Sequence, residues 1–300
     1  MKSYPNFAVI LAAYNGMVWI AEQVDSILQQ SGVSVTVYIS VDESTDDTLA
    51  WCLARSQVDS RIVVLPSIGR FGGAAKNFFR LIQDVDFSGF DYLALADQDD
   101  LWSKDKLASA HEKIIKKGVM GYSGSVTAFW PDGRNKLIDK AQSQRKYDFL
   151  FEAAGPGCTY VLKSSGAVLF KRFLLKNKIS VDAVALHDWL IYAWYRANGL
   201  AWYIDSVPKM LYRQHDLNQV GANFGVKAVI SRFKLLRAGW YRAEVSKITN
   251  LLSEHLPDVP KSLADNGDVP WLFLMVNLNN FRRRFRDQIF LAAIIIFGIY

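Results

Sequence analysis

The stretch Asp91-Tyr92-Leu93-Ala94-Leu95-Ala96-Asp97-Gln98-Asp99-Asp100-Leu101-Trp102 decides how the chain is read. Residues 92–96 are a short, nearly all-apolar run, the pattern of a parallel strand covered on both faces. The run stops at three carboxylates, Asp97, Asp99 and Asp100. Burying such a cluster without partners is costly, so it must face water, a metal or a cation. Asp97 and Asp99, two positions apart at a strand end, can present oxygens to one hard divalent ion. A plainer reading competes, in which Asp97 to Asp100 form a polar turn and Asp100 or Ser103 caps the following helix. The spacing alone does not separate the two.

Working outward, the same alternation recurs. Residues 7–13 are apolar and end at Tyr14-Asn15-Gly16, and residues 20–30 then have helical spacing. Residues 33–41 read as a second strand closing at Asp42, residues 48–56 as a helix, and residues 61–65 as a third strand. A glycine-rich loop at 69–73 opens a helix through 74–82, and a further helix covers 104–117. Strand followed by helix, four times over, predicts an α/β fold with a mostly parallel central sheet. Ligands of such sheets bind at the carboxyl ends of the strands. Asn15, Asp42 and the Asp97–Asp100 cluster all fall at such ends, which favours a site over a plain turn. No G-x-G-x-x-G follows the first strand and no G-x-x-x-x-G-K-[ST] is present, which argues against dinucleotide and P-loop folds. Bound phosphates would have to be held by a metal and by individual side chains.

With 51% hydrophobic and 21% charged residues in a chain of 300, a sizeable core is available and disorder is not expected. Cys52 and Cys158 are the only cysteines, too few for a disulfide framework or a zinc set, and they suit a reducing compartment. Residues 7–14 read as a strand, not a signal peptide, because the apolar run is short and leads into Asn15-Gly16. The formal charge of +6 is unevenly placed, since residues 221–300 hold 11 Lys and Arg against 6 Asp and Glu. That tail has helical apolar spacing over 229–252, an Arg282-Arg283-Arg284-Phe285-Arg286 cluster, and a nearly all-apolar run at 289–300. The run falls short of the roughly 18 residues needed to cross a bilayer and fits an interfacial helix on an anionic leaflet. Packing into the chain's own core or a dimer partner is the alternative. Nucleic-acid binding is not expected, because the charge adjoins an apolar segment instead of forming a separate reading surface.

At this point an ordered set of motifs carries a resemblance. It comprises Ala12-Ala13-Tyr14-Asn15-Gly16, the Val41-Asp42 to Thr48 segment, Asp97 to Trp102, Gly157-Cys158-Thr159, His187-Asp188-Trp189, and Tyr212-Arg213-Gln214-His215 with Asn218 and Gly221. The set resembles the inverting family 2 glycosyltransferases of GT-A fold, and within them the bacterial rhamnosyltransferase branch that uses dTDP-L-rhamnose. The resemblance runs over residues 7–221. One departure is Asp216-Leu217-Asn218, where the branch often has Gly-Asn-Asn.

The resemblance implies roles. Tyr14, Asn15, Asp42 and Asp97 would bind the nucleotide, Asp42 by accepting from a pyrimidine ring N–H; ordinary turn roles compete for Asn15 and Asp42. Asp99, with His215 completing the shell, would hold Mg²⁺ or Mn²⁺. Arg213 and His215 would close over the diphosphate. Asp188 would be the general base that takes the acceptor hydroxyl's proton, although it also stands where a helix N-cap would. Gly157, Cys158, Thr159 and His187 would form the acceptor side, with Cys158 buried and not a nucleophile. Arg70 or Lys76 approaching the diphosphate is a weaker option.

Together these imply a GT-A catalytic domain at 1–216 and a basic helical segment at 217–300. The expected activity is metal-dependent transfer of a sugar, L-rhamnose from dTDP-L-rhamnose, to a saccharide or lipid-linked acceptor in bacterial surface polysaccharide (O-antigen) synthesis. The expected place is the cytoplasmic side, peripheral at the inner face of the plasma membrane. A UDP-hexose or UDP-N-acetylhexosamine donor is the alternative within the fold. A non-catalytic nucleotide-sugar-binding subunit of an assembly complex is the alternative outside it.

Overall fold

β4 (Tyr92–Ala96) is buried along its whole length, and its alternation shows why. Leu93 and Leu95 enter one hydrophobic core, while Tyr92, Ala94 and Ala96 enter a second on the opposite face. Its parallel neighbour β1 (Asn6–Ala13) divides the same way, with Ala8 and Ile10 on one side and Phe7, Val9, Leu11 and Ala13 on the other. A strand with both faces covered needs apolar side chains at every position, which is the run seen in the sequence. The computed structural model describes residues 4–215, 234, 236–265 and 271–297.

The first half follows the expected alternation: α1 (Ile20–Leu28), β2 (Ser34–Val41), α2 (Thr48–Val58), β3 (Ile62–Val64), α3 (Ala74–Asp84) and, after β4, α4 (Lys106–Lys117). β3, β2, β1 and β4 lie side by side and parallel. In register, Ala13 of β1 pairs with Val41 and Leu11 with Ala96, so the loops starting at Tyr14, Asp42 and Asp97 emerge at one edge.

Past α4 the order departs from simple alternation. β9 (Val161–Lys163) inserts antiparallel between β4 and β6 (Gly121–Gly124), and β10 (Trp202–Asp205) completes the seven-stranded sheet. A second, four-stranded sheet joins β5 (Leu101–Trp102), β11 (Met210–Arg213), β7 (Val126–Phe129) and β8 (Asn135–Ile138). α5 (Ser164–Lys176), α6 (Lys178–Val181) and α7 (His187–Ala197) cover the first core.

The C-terminal helices α8 (Trp240–Leu251), α9 (Lys261–Ala264), α10 (Trp271–Val276), α11 (Leu278–Phe281) and α12 (Phe285–Ile296) add Val245, Ile248, Leu263, Leu274, Phe281, Leu291 and Ile294 to that same core. The described tail is therefore continuous in packing with the sheet domain. The expected boundary at 216, Asn218, Gly221 and the first part of the spacing at 229–252 lie outside the described residues.

The arginine cluster departs from expectation as a surface feature. The Arg283 side chain is buried and pairs with Asp148 (3.2 Å) and Glu152 (3.4 Å). Arg282 donates to the Phe151 carbonyl, and Arg284 to the Asp139 carbonyl. The physical cause is Asp148, which has no exposed surface and needs counter-charge from Arg283 and, at 2.9 Å, from Arg196 of α7. Arg286 remains exposed beside Asp287.

Removing one partner of such a network strands the others. Asp148→Ala should lower stability by about 3–5 kcal/mol, read as a fall in the midpoint of chemical unfolding. An unchanged midpoint would mean that the tail is not fastened there.

Candidate active site

The carboxylates ending β4 are held by elements that arrive later in the chain. β5 begins right after Asp100 and pairs antiparallel with β11, Leu101 opposite Leu211 and Trp102 opposite Met210. That pairing carries Arg213 and His215 over the acidic loop. His215 Nε2 lies 2.7 Å from Asp99 Oδ2, and its ring stacks on Trp19 with centroids 4.0 Å apart. The Arg213 backbone N–H donates to Asp100 Oδ1 (3.1 Å), and its guanidinium donates to the Asp99 carbonyl (2.8 Å) and the Glu22 carboxylate (2.6 Å).

The lower part of the cluster is interior. Asp97, Asp100 and the Cys158 thiol approach within 4.8 Å of one another. Burial, with the Asp99 charge next, pushes the carboxyls of Asp97 and Asp100 well above the usual range. Burial likewise raises the Cys158 thiol, which excludes a ready thiolate nucleophile. Lys106 of α4 lies beneath with its ammonium over the Trp102 ring at 3.5 Å, and burial pushes its pKa down to about 7.

The residues expected to bind the nucleotide line the same edge. Asn15 adopts a left-handed backbone (φ 45°), and its Oδ1 accepts from the Thr45 N–H at 2.8 Å, tying the loop after β1 to the loop after β2. Tyr14 is half exposed, and its backbone is clamped by Gln98, which accepts from its N–H and donates to its carbonyl, both at 2.8 Å. Asp42 is buried and accepts from Glu43 and Phe71 on Oδ1 and from Gly72 on Oδ2. It thus anchors the glycine-rich loop, and Oδ2 keeps a second acceptor position. Asp46 binds backbone and Thr48, a bracing role.

On the other side of the acidic loop, Asp188 stands in the first turn of α7, not at its N-cap, which is Leu186. Its Oδ1 accepts only the following Trp189 N–H (2.8 Å) among the described residues, and burial raises its pKa to about 6. His187 is buried and stacked on Phe78 at 4.1 Å, and burial pushes its pKa down to about 3, so it stays neutral and acts as a spacer. Gly157 is required by this approach: a Cβ there would lie 2.5 Å from His187 Nε2 and 3.2 Å from Asp188 Cβ. Thr159 donates to the Pro156 carbonyl (2.7 Å), closing the turn that presents Gly157 and Cys158.

Asp97, Asp99, Arg213 and His215 are brought together around the acidic loop, Tyr14, Asn15 and Asp42 on the neighbouring loops, and Gly157, Cys158, Thr159, His187 and Asp188 on its other side. Gln98, Trp19, Glu22 and Lys106 were missed. Gln98 alone had a local signal, its place inside the acidic motif.

Residues 8–177 match the family described as glycosyl transferase family 2. The chain belongs to that family. It is a glycosyltransferase, and over 291 residues it is 44% identical to the dTDP-rhamnosyl transferase RfbG of Shigella flexneri, covering 97% of this chain and 100% of that protein. It is also 25% identical over 158 residues to WfgD of Escherichia coli, a UDP-Glc:alpha-D-GlcNAc-diphosphoundecaprenol beta-1,3-glucosyltransferase, covering 52% of this chain and 58% of that one. The fold is similar to the crystal structure of S. aureus TarS 1-349 in complex with UDP-GlcNAc, with TM-score 0.57 and 14% identity over 98% of this chain and 80% of that chain. The α/β architecture is therefore the GT-A fold with added C-terminal helices.

In this glycosyltransferase, Gly157→Ala should push the His187–Asp188 turn out of place and cut kcat about 100-fold. Nucleotide affinity should hold, because the nucleotide-side groups sit on other loops. Parallel turnover and titration measurements separate the two, and a fall in affinity with intact kcat would contradict the placement.

Proposed function

We propose that this chain transfers L-rhamnose from dTDP-L-rhamnose, with inversion, to a saccharide or lipid-linked saccharide acceptor in bacterial surface polysaccharide synthesis. The observation that carries the donor is the full-length 44% identity to a dTDP-rhamnosyl transferase. Asp188 is the general base. As the acceptor oxygen bonds to the anomeric carbon, the Asp188 carboxylate takes the hydroxyl proton, and the bond from the sugar to the nucleoside diphosphate breaks on the opposite face. A base must be ionised to act, so activity should fall as pH drops through the Asp188 pKa of about 6.

A divalent ion, Mg²⁺ or Mn²⁺, suits the oxygen and nitrogen donors of Asp99 and His215, which meet in a hydrogen bond of 2.7 Å. Asp97, Asp100 and Cys158 fit it less well, because burial raises all three and disfavours the ionised forms that a divalent ion takes as ligands. When bound, the ion would supply Lewis-acid stabilisation of the departing diphosphate. Asp42 Oδ2 accepts the pyrimidine ring N–H, the Tyr14 ring flanks the base, and Asp97 faces the ribose. Arg213 exchanges the half-exposed Glu22 for a phosphate oxygen.

Calorimetric titration of dTDP, UDP and GDP with and without Mn²⁺, on wild type and Asp99→Ala, tests this reading. Preferential, metal-dependent binding of dTDP, lost in the variant, is expected. Preference for UDP would transfer the assignment to a UDP-hexose donor, the chemistry in the name of the partial Escherichia coli match.

Among the described residues no helix is long and apolar enough to cross a membrane. We place the enzyme peripherally at the inner face of the plasma membrane, where a lipid-linked acceptor is presented. Trp271, Leu272 and Val276 of α10, with Phe285, Ile289, Phe290 and Ile296 of the adjoining α12 and Phe297 just beyond it, are exposed while Leu291 and Ile294 anchor α12 to the core. Since most of the arginine cluster pairs internally, apolar insertion is the expected driving force. Cosedimentation with phosphatidylcholine vesicles should occur and be lost on joint Phe285→Ser, Ile289→Ser and Phe290→Ser substitution. A wild type that stays in the supernatant and elutes as a dimer would assign the face to a second copy.

A further inference from the structure

Trp19 stands at the N-cap of α1, a position that favours Ser, Thr, Asp or Asn, and its side chain makes no capping bond. The indole is laid instead against the His215 ring, with centroids 4.0 Å apart and planes 19° from parallel. Glu22, three positions on and therefore on the same face of the helix, accepts from the Arg213 guanidinium at 2.6 Å. Arg213 and His215 are alternate residues of one extended run, in which the intervening Gln214 N–H donates to the Phe129 carbonyl at 2.9 Å. The start of α1 thus meets both closing residues at once.

The two contacts differ in kind. Glu22 is half-exposed, and the proposed exchange of its carboxylate for a phosphate oxygen breaks that pair. The indole carries no charge for a donor to displace, so its contact persists. The platform is also tied to the acidic loop that it faces. The Gly16 carbonyl accepts from the Trp19 N–H at 2.9 Å, and a Cβ on Gly16 would lie 2.2 Å from Gln98 Oε1. Gln98 stands between Asp97 and Asp99, so the indole and the Asp99 carboxylate share one frame. The contact of His215 Nε2 with Asp99 Oδ2, at 2.7 Å, sets one direction of the imidazole, and the indole against its face sets the plane. We infer that Trp19 is a positioning residue for the transfer reaction, holding the His215 ring with Nε2 at the Asp99 carboxylate, where the divalent ion and the donor diphosphate would bind. The inference rests on the reading of Asp99 and His215 as ligands of that ion.

The test is Mn²⁺ binding in the presence of dTDP, read from the electron paramagnetic resonance of the free ion. It compares wild type, Trp19→Ala, Trp19→Phe, His215→Ala and the combined Trp19→Ala and His215→Ala variant. Chemical unfolding confirms that each is folded, and Trp19→Leu replaces Trp19→Ala if that variant is not. Trp19→Ala should weaken Mn²⁺ binding about tenfold, the upper end of what an aromatic pair contributes. Trp19→Phe, which keeps a flat ring, should recover most of the loss. In the His215→Ala background, Trp19→Ala should cost nothing further, because the two side chains act through one contact. Wild-type affinity in Trp19→Ala, a Phe variant no better than Ala, or additive losses from the two single variants would overturn the inference and leave the metal reading standing. Full affinity in His215→Ala, or none in wild type, overturns the metal reading and the inference together.

Discussion

A strand buried on both faces that ends in three carboxylates must be met by counter-charge and donors from the rest of the fold. Asp100 receives the Arg213 backbone N–H, Asp99 receives His215, and the Lys106 side chain lies beneath them. These groups come from the end of β11 and from α4, so the acidic loop has its geometry only when β11 has paired with β5 and α4 has packed on the second core. Folding and assembly of the site are in this sense the same event.

The antiparallel insertion of β9 divides the work of the sheet. Before it, the loops after β1, β2 and β4 form the proposed nucleotide side, cross-linked by Asn15, Gln98 and Asp42. After it, the turn at Gly157 and the start of α7 form the proposed acceptor side. The two meet where Cys158 approaches Asp97 and Asp100. An inverting transfer needs this opposition, with a base on one face of the sugar and stabilisation of the leaving group on the other.

A second buried acid, Asp148, explains the arginines of the tail. It receives Arg196, Arg283 and the Tyr192 hydroxyl, which fastens the segment after α11 to α7, the helix that carries Asp188. The tail is thereby tied to α7 while an apolar face of α10 and α12 stays exposed. A basic cluster in a sequence is ambiguous in this respect, because composition does not say whether a guanidinium faces solvent or a buried carboxylate.

The sequence by itself determined the parallel half of the sheet. Strands covered on both faces demand unbroken apolar runs, and those runs end where polar loops must begin, so Asn15, Asp42 and Asp97 to Asp100 were legible as one edge. The ordered motifs placed Asp188 and His215 beside them through resemblance, not through periodicity. What only the tertiary structure decided is direction and pairing. β9 runs antiparallel, β5 and β11 are too short to show a period, and the Asp42 carboxylate holds the Phe71–Gly72 backbone. Gln98 clamps Tyr14 and Arg283 turns inward. Local patterning records which side chains leave water, but the partner that each polar group finds is set by strand order and close packing, which no single segment encodes.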